Sequence, residues 1–139
     1  MSIHAKAINH IGIAVPSIDD QRDFYEKTLG ATFEGIEEVP SQKVKVGFFS
    51  LAGVRLELLE PTAPDSTIAQ FIEKSGGRGG LHHVAYTVDS IQQRLDALKA
   101  EGIKLIHETP QPGAHHTKIA FLHPKSSHGV LTELCEPQH

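Results

Sequence analysis

Two histidines and two glutamates recur at matching places in this chain, and side chains of these types bind metal ions. His10 and His83 are 73 residues apart, and Glu57 and Glu133 are 76 apart. Two imidazoles and two carboxylates form a coherent ligand set for Mn, Co, Ni, Zn or Fe(II), with positions left for water or substrate oxygens. Each residue also has a plainer reading. A lone strand histidine is usually a core or surface side chain, and a lone strand glutamate is usually solvated or paired with a group such as Arg55. Recurrence of both types at the same two places favours a shared site, although duplication alone can preserve a residue. A carboxylate among apolar neighbours, as Glu133 is with Leu131 and Cys135, is costly to bury unless it is paired, protonated or bound to a cation. His82 competes with His83, but it aligns with Asn9 and points to the other strand face, so His83 is preferred. Glu60 and Glu136 recur too. Each precedes a proline at a strand end and reads as solvent-facing. His115-His116 reads as a loop pair, and His4, His107, His123 and His139 sit in surface-like contexts.

The elements that must position these residues follow from an internal repeat. Ile8–Ile18 (INHIGIAVPSI) matches Leu81–Ile91 (LHHVAYTVDSI) at an offset of 73, which carries Lys45 onto Lys118 and Phe48 onto Phe121. Gly53–Pro61 then matches Gly129–Pro137 at an offset of 76, the extra residues falling in the loop His123–His128. Alternation predicts strands over Ala7–Val15, Thr32–Val39, Val44–Leu51 and Val54–Glu60. On the first of these, Ile11, Ile13 and Val15 are expected to bury, leaving His10 on a face of small residues. Ser17 opens a helix that Gly30 ends, and Asp65-Ser-Thr-Ile opens another. In the second copy, strands are expected over His82–Val88, Ile103–His107, Lys118–Leu122 and Val130–Glu136. Ser90 caps a helix carrying Ile91, Leu95 and Leu98 and closed by Gly102.

Each unit is therefore βαβββ. The expected fold is α+β: two tandem units forming a cup-shaped mixed sheet with covering helices. The expected organisation is a single domain over 1–139, with units at about 3–62 and 81–137 joined by a helix and Gly-rich linker over 65–80. Gly76-Gly-Arg-Gly-Gly80 lacks the GK[ST] ending of a phosphate-cradling loop and is read as the linker.

Formal net charge is −4, from 17 acids and 13 bases mixed along the chain. That argues against nucleic-acid binding, which calls for a basic face. No apolar run approaches the ~20 residues of a membrane helix, and the N-terminus has no signal-like apolar core. The single cysteine, Cys135, rules out an intrachain disulfide. Cytoplasm is the expected location.

The segments HIGIAV, PSQKVKVGFF, RLELLEP, DSTIAQF, GLHHVAY and FLHPKSSHGVLTEL resemble the vicinal-oxygen-chelate superfamily, and within it the methylmalonyl-CoA epimerase family. The match runs from Ile8 to Pro137. DSTIAQF, the loop at Pro112 and HPKSSHGVL are the more specific segments. The resemblance implies one divalent ion (Co, Mn, Ni or Zn) on His10, His83 and Glu133, with Glu57 as fourth ligand. It implies a small-molecule acyl-CoA substrate and epimerisation at C2 through an enolate. Glu133 is the first candidate for proton transfer and Glu57 the second. A homodimer is the expected assembly, and His123-Pro-Lys125 is a candidate for the CoA phosphates. The chain departs from the family at one place. Some epimerases carry a proton-transfer glutamate on the third strand of the first unit, where this sequence reads Lys43-Val-Lys-Val-Gly-Phe48. Competing readings are a glyoxalase I-like lyase or isomerase, a drug-binding protein of the same superfamily, and a metal-free interaction dimer.

Overall fold

Alternating side chains build eight strands, and the computed structural model describes residues 3–138. The strands are β1 (Ala7–Ala14), β2 (Thr32–Val39), β3 (Val44–Leu51), β4 (Val54–Pro61), β5 (Gly80–Thr87), β6 (Gln111–Gly113), β7 (Thr117–Leu122) and β8 (Thr132–Pro137). Three α-helices are described: α1 (Ile18–Asp23), α2 (Thr67–Lys74) and α3 (Ile91–Ala100). Within the units the strand orders are β2-β3-β4-β1 and β5-β8-β7-β6. The chain divides into two compact units, one of His10–His82 and the other of the residues up to Asn9 with those from His83 onward.

In the His10–His82 unit, β2, β3 and β4 pair antiparallel and β1 lies parallel to β4. One sheet face carries Phe33, Phe49, Leu56 and Leu58 and packs under Ile18 and Tyr25. The other face carries His10, Gly12 and Ala14, with Leu59 and Glu57 beside them. That second face is the more deeply buried part of β1. Ile11 and Ile13 stay only partly buried, contrary to the sequence expectation, whereas Val15 is buried as expected. Between Phe33 and Gly35 the register shifts by one residue, a β-bulge at Glu34.

In the other unit, β5 and β8 are parallel, and β8, β7 and β6 are antiparallel. Val88, Ile91, Leu95, Leu98, Ala120, Leu122 and Leu134 form its core under α3. A smaller cluster on the opposite face joins Ala85, Ile119, Cys135 and Phe121. The Lys6 amide donates to the Thr87 carbonyl at 2.9 Å, and Asn9 Nδ2 donates to Thr87 Oγ1 at 3.2 Å.

Four expectations need correction or refinement. Ile103–His107 is not a strand: Leu105 alone bridges Leu122, while Gln111–Gly113 pairs with β7. Pro112 has no N–H, which suits so short a strand to the sheet edge it occupies. Helix α2 does begin in the stretch Asp65-Ser-Thr-Ile, with Ser66 as its cap: Ser66 Oγ accepts from Ala69 N at 2.9 Å, and Asp65 pairs with Lys43.

Third, Ser17 and Ser90 are not equivalent caps. Ser17 Oγ accepts from Asp20 N at 3.2 Å, but Ser90 is left-handed (φ 51°, ψ 57°) and its hydroxyl caps nothing. Fourth, the recurring strand-end glutamates do not simply face solvent. Ile18 N donates to Glu60 Oε1 at 2.8 Å, and Ile91 N donates to Glu136 Oε1 at 3.0 Å. Each carboxylate thus satisfies an orphan N–H at the start of its own unit's helix, where negative charge is also favoured.

The Gly-rich stretch is more closely built than a slack linker. Gly79 (φ +81°) lies so close to β1 that a Cβ there would sit 2.1 Å from the Ala14 carbonyl oxygen. Its N–H donates to Ser75 Oγ at 2.9 Å.

Candidate functional site

The residues singled out by the repeat form one histidine–glutamate pair within each unit. All four are buried: His10 is 5 % exposed, Glu57 6 %, His83 6 % and Glu133 5 %. In the first pair, the β1–β4 register sets Gly12 opposite Glu57 and His10 opposite Arg55. The missing side chain at Gly12 leaves space for the His10 ring beside the carboxylate. His10 Nδ1 lies 3.2 Å from Glu57 Oε2, and Arg55 Nε lies 3.8 Å from the same oxygen. The Arg55 guanidinium is also held over the Phe48 ring, 5.7 Å from its centroid.

In the second pair, Ala85 takes the place opposite Glu133, and Phe121 flanks that glutamate from β7. His83 Nε2 lies 2.8 Å from Glu133 Oε1. The Cys135 thiol donates to Glu133 Oε2 at 3.1 Å. Phe121 stands edge-on to the His83 ring at 5.2 Å between centroids, which limits how that ring can turn.

His107 was read from the sequence as surface, and the structure corrects that. Its Nδ1 accepts from the Phe121 amide at 3.1 Å, its own amide donates to the Phe121 carbonyl at 3.2 Å, and its ring lies 5.9 Å from that of Phe121. Burial pulls its pKa below the ordinary value, while the charge of Glu133 pushes the other way. His107 therefore fixes the backbone of the residue that packs on His83. No repeat partner signals it, and its one sequence cue is the alternation with Leu105.

His82 turns away to the other strand face and meets Phe71 of α2 edge-on at 5.0 Å. His115 and His116 are both left-handed (φ 57° and 53°) in the turn before β7. His123 Nδ1 accepts from Lys125 N at 3.1 Å, a local cap, and Lys125 is exposed.

These donors suit a divalent ion. A buried carboxylate needs compensating charge or hydrogen bonds, and imidazole nitrogens with carboxylate oxygens are the first-choice donors for Zn, Mn, Co and Ni.

A family model described as glyoxalase/bleomycin resistance protein/dioxygenase superfamily matches residues 9–121. The chain belongs to that superfamily. This superfamily member is 47% identical over 131 residues to Bacillus subtilis (strain 168) YqjC, a protein named as uncharacterized, covering 94% of this chain and 92% of YqjC. It is 39% identical over 128 residues to an ethylmalonyl-CoA/methylmalonyl-CoA epimerase of Cereibacter sphaeroides, covering 91% of this chain and 95% of that protein. Its fold matches the solved structure of a methylmalonyl-CoA epimerase in complex with methylmalonyl-CoA and NH4+ with a TM-score of 0.87 at 32% identity. That match covers 96% of this chain and 95% of the other.

Proposed function

We propose that this superfamily member is a metal-dependent epimerase that interconverts the (R) and (S) forms of methylmalonyl-CoA. The observation that carries this reading is the pair of buried histidine–glutamate contacts, one per half, in a chain 39% identical to a relative named as an ethylmalonyl-CoA/methylmalonyl-CoA epimerase. C2 of methylmalonyl-CoA lies between a thioester carbonyl and a carboxylate, so removing its proton gives an enolate. A divalent cation, when bound, supplies positive charge where negative charge develops on the substrate oxygens.

His10, His83 and Glu133, with Glu57 as fourth, are the residues we assign to hold it. Supporting them are their donor types, their burial and their recurrence; His10, His83 and Glu133 make a His/His/Glu set of a kind able to hold an ion. Co, Mn, Ni and Zn all suit such a set. Glu133 is also assigned to move the C2 proton. Its Oε1 contacts His83 and its Oε2 accepts from a neutral thiol, so its neighbours orient it without a fixed counter-charge from Cys135. Ala85, Ile119 and Phe121 surround it with apolar surface that excludes water. Glu57, which has Arg55 beside it, is the second candidate. A single domain of two βαβββ repeats, a homodimer and a cytoplasmic location belong to the same proposal. Sedimentation and cell fractionation test the last two.

The decisive experiment has two steps. Elemental analysis of purified protein should find close to one divalent ion per chain, and each epimer of methylmalonyl-CoA in D2O should exchange its C2 proton and interconvert. His83→Ala should lower the metal content sharply, while His82→Ala should keep it. Metal-loaded protein that leaves the C2 proton untouched would refute the epimerase reading. Metal loss on His82→Ala alone would show the wrong histidine had been chosen.

A further inference from the structure

Phe48 and Phe121 are repeat partners, and each pairs with the glutamate of its own half, Glu57 or Glu133. Their outer neighbours differ. Phe48 is flanked by β2, an eight-residue strand that pairs Gly35 with it. Strand β6 has three residues and pairs with Thr117, Lys118 and Ile119, so it stops short of Phe121.

The stretch Leu105-Ile-His107 stands in for the missing strand. Leu105 bridges Leu122. The Phe121 carbonyl accepts from the Ile106 amide at 2.9 Å and from the His107 amide at 3.2 Å. Those amides are spent on the carbonyl, and the Phe121 amide donates to a side chain instead, His107 Nδ1 at 3.1 Å. An edge amide deprived of its acceptor turns toward water or another chain. Accepting at Nδ1 leaves the hydrogen of the neutral ring on Nε2, which fixes its tautomer. The His107 and Phe121 rings also lie 5.9 Å apart, tilted at 52°.

Phe121 reaches both members of the pair in this half. The register sets it beside Glu133, and its ring stands edge-on to His83 at 5.2 Å. The 2.8 Å contact between His83 Nε2 and Glu133 Oε1 holds only while the imidazole keeps that rotation. A Phe121 backbone that twists at the sheet edge carries its ring away and frees His83 to turn.

We infer that His107 is a positioning residue for the His83–Glu133 pair, acting through Phe121 and setting how tightly those two side chains hold a metal ion. The plain alternative is an edge cap that adds stability and leaves the pair unchanged. The affinity part of the inference rests on the metal reading given above; the orientation of His83 does not.

Three substitutions separate the two. His107→Leu fills the space and removes the acceptor. His107→Asn returns an acceptor oxygen close to the Nδ1 position. Phe121→Leu removes the ring and keeps the backbone. In the full chain as purified, the His83 ring NMR signals should shift in His107→Leu and return to their wild-type positions in His107→Asn. Titration with Co(II) should show ~10-fold weaker binding by His107→Leu, the scale of losing a group that orients a metal ligand, with most of the loss recovered in His107→Asn. Adding His107→Leu to Phe121→Leu should move neither readout further, because both act along one chain of contacts. Glu136→Ala lowers stability elsewhere in the same half and should leave both readouts at wild type. If His107→Leu does not fold, His107→Gln takes its place, since its amide reaches past the Nδ1 position. Wild-type signals and affinity in a folded His107→Leu or His107→Gln overturn the role. So do a failure of His107→Asn to recover, full additivity with Phe121→Leu, or an equal shift in Glu136→Ala. If wild type takes up no Co(II), the metal reading falls, and the His83 signals alone decide whether His107 positions that ring.

Discussion

The two halves carry the same histidine–glutamate pair and bond it differently. In the first half, His10 offers Nδ1 at 3.2 Å to Glu57, and Arg55 brings positive charge to the same oxygen. In the second, His83 offers Nε2 at 2.8 Å to Glu133, whose other oxygen takes a hydrogen bond from the Cys135 thiol. A guanidinium favours the charged carboxylate, whereas a thiol brings no charge. Duplication has kept the backbone position while the surroundings diverged, so two residues alike in sequence are fitted to unequal work. The helix starts show the same divergence. Both are capped by a strand-end glutamate, but only the first also uses its serine hydroxyl.

The largest expected effect contrasts two glycines. Gly79→Ala would put Cβ 2.1 Å from a backbone oxygen at φ +81°. It should cost at least about 3 kcal/mol of stability. In the other half, Gly113→Ala meets side-chain atoms, Thr117 Oγ1 at 2.6 Å and Ile119 Cγ2 at 2.7 Å, which can yield. It should cost about 1–2 kcal/mol. Urea unfolding of both variants measures the gap, and equal losses would mean that the Gly79 backbone moves freely.

Next comes the difference between the carboxylates. Glu133→Gln should keep much of its metal and lose at least ~100-fold in rate. Glu57→Gln keeps an oxygen donor and should lose about 10-fold. Steady-state assays with parallel metal analysis check this. Normal metal and a wild-type rate in Glu133→Gln would reduce that residue to a ligand.

The caps give a smaller and finer contrast. Glu136→Ala removes the side-chain cap the second half uses at its helix start, and should cost about 1–2 kcal/mol. Glu60→Ala leaves Ser17 in place and should cost about 0.5–1 kcal/mol. Ser90→Gly, which suits a left-handed backbone, should be neutral or stabilising, whereas Ser17→Ala should destabilise. Thermal melts that rank the two glutamates the other way would break the asymmetry.

The smallest effect is a pH dependence confined to the second half. Burial lowers the pKa of His107 in the folded state, so the unfolded chain takes up the proton first. Its contribution to stability is complete above the unfolded value of ~6.5 and is lost as pH falls below that toward the folded value. Wild type should therefore lose more stability than His107→Gln between pH 7.5 and 5.5. Parallel stability curves over that range would show that His107 stays neutral, or charged, in both states.

Much of the first half was legible in the sequence. Thr32–Val39 and Val44–Leu51 form strands with the bounds that alternation predicts. Both His–Glu pairs could be drawn from the repeat, because period 2 fixes which strand residues share a face. Other features were hidden for definable reasons. Glu60 and Glu136 act on helix residues far away in sequence, and a proline after each looks like nothing more than a strand end. Ser90 has the same local pattern as Ser17, yet its backbone is left-handed. The bulge at Glu34 shifts the side assigned to every later residue of β2, and alternation alone does not announce it. His107 lies where the repeat fails, between the end of α3 and the short β6.

The strand-end glutamates also bear on how the chain folds. Glu60 closes on Ile18 across 42 residues and Glu136 on Ile91 across 45. The entropy of closing loops of these lengths differs by less than about 0.1 kcal/mol. Topology therefore gives neither half a head start. Whichever half condenses first does so because of its side chains, with the tighter aromatic cluster of Tyr25, Phe33 and Phe49 on one side and the aliphatic layer under α3 on the other.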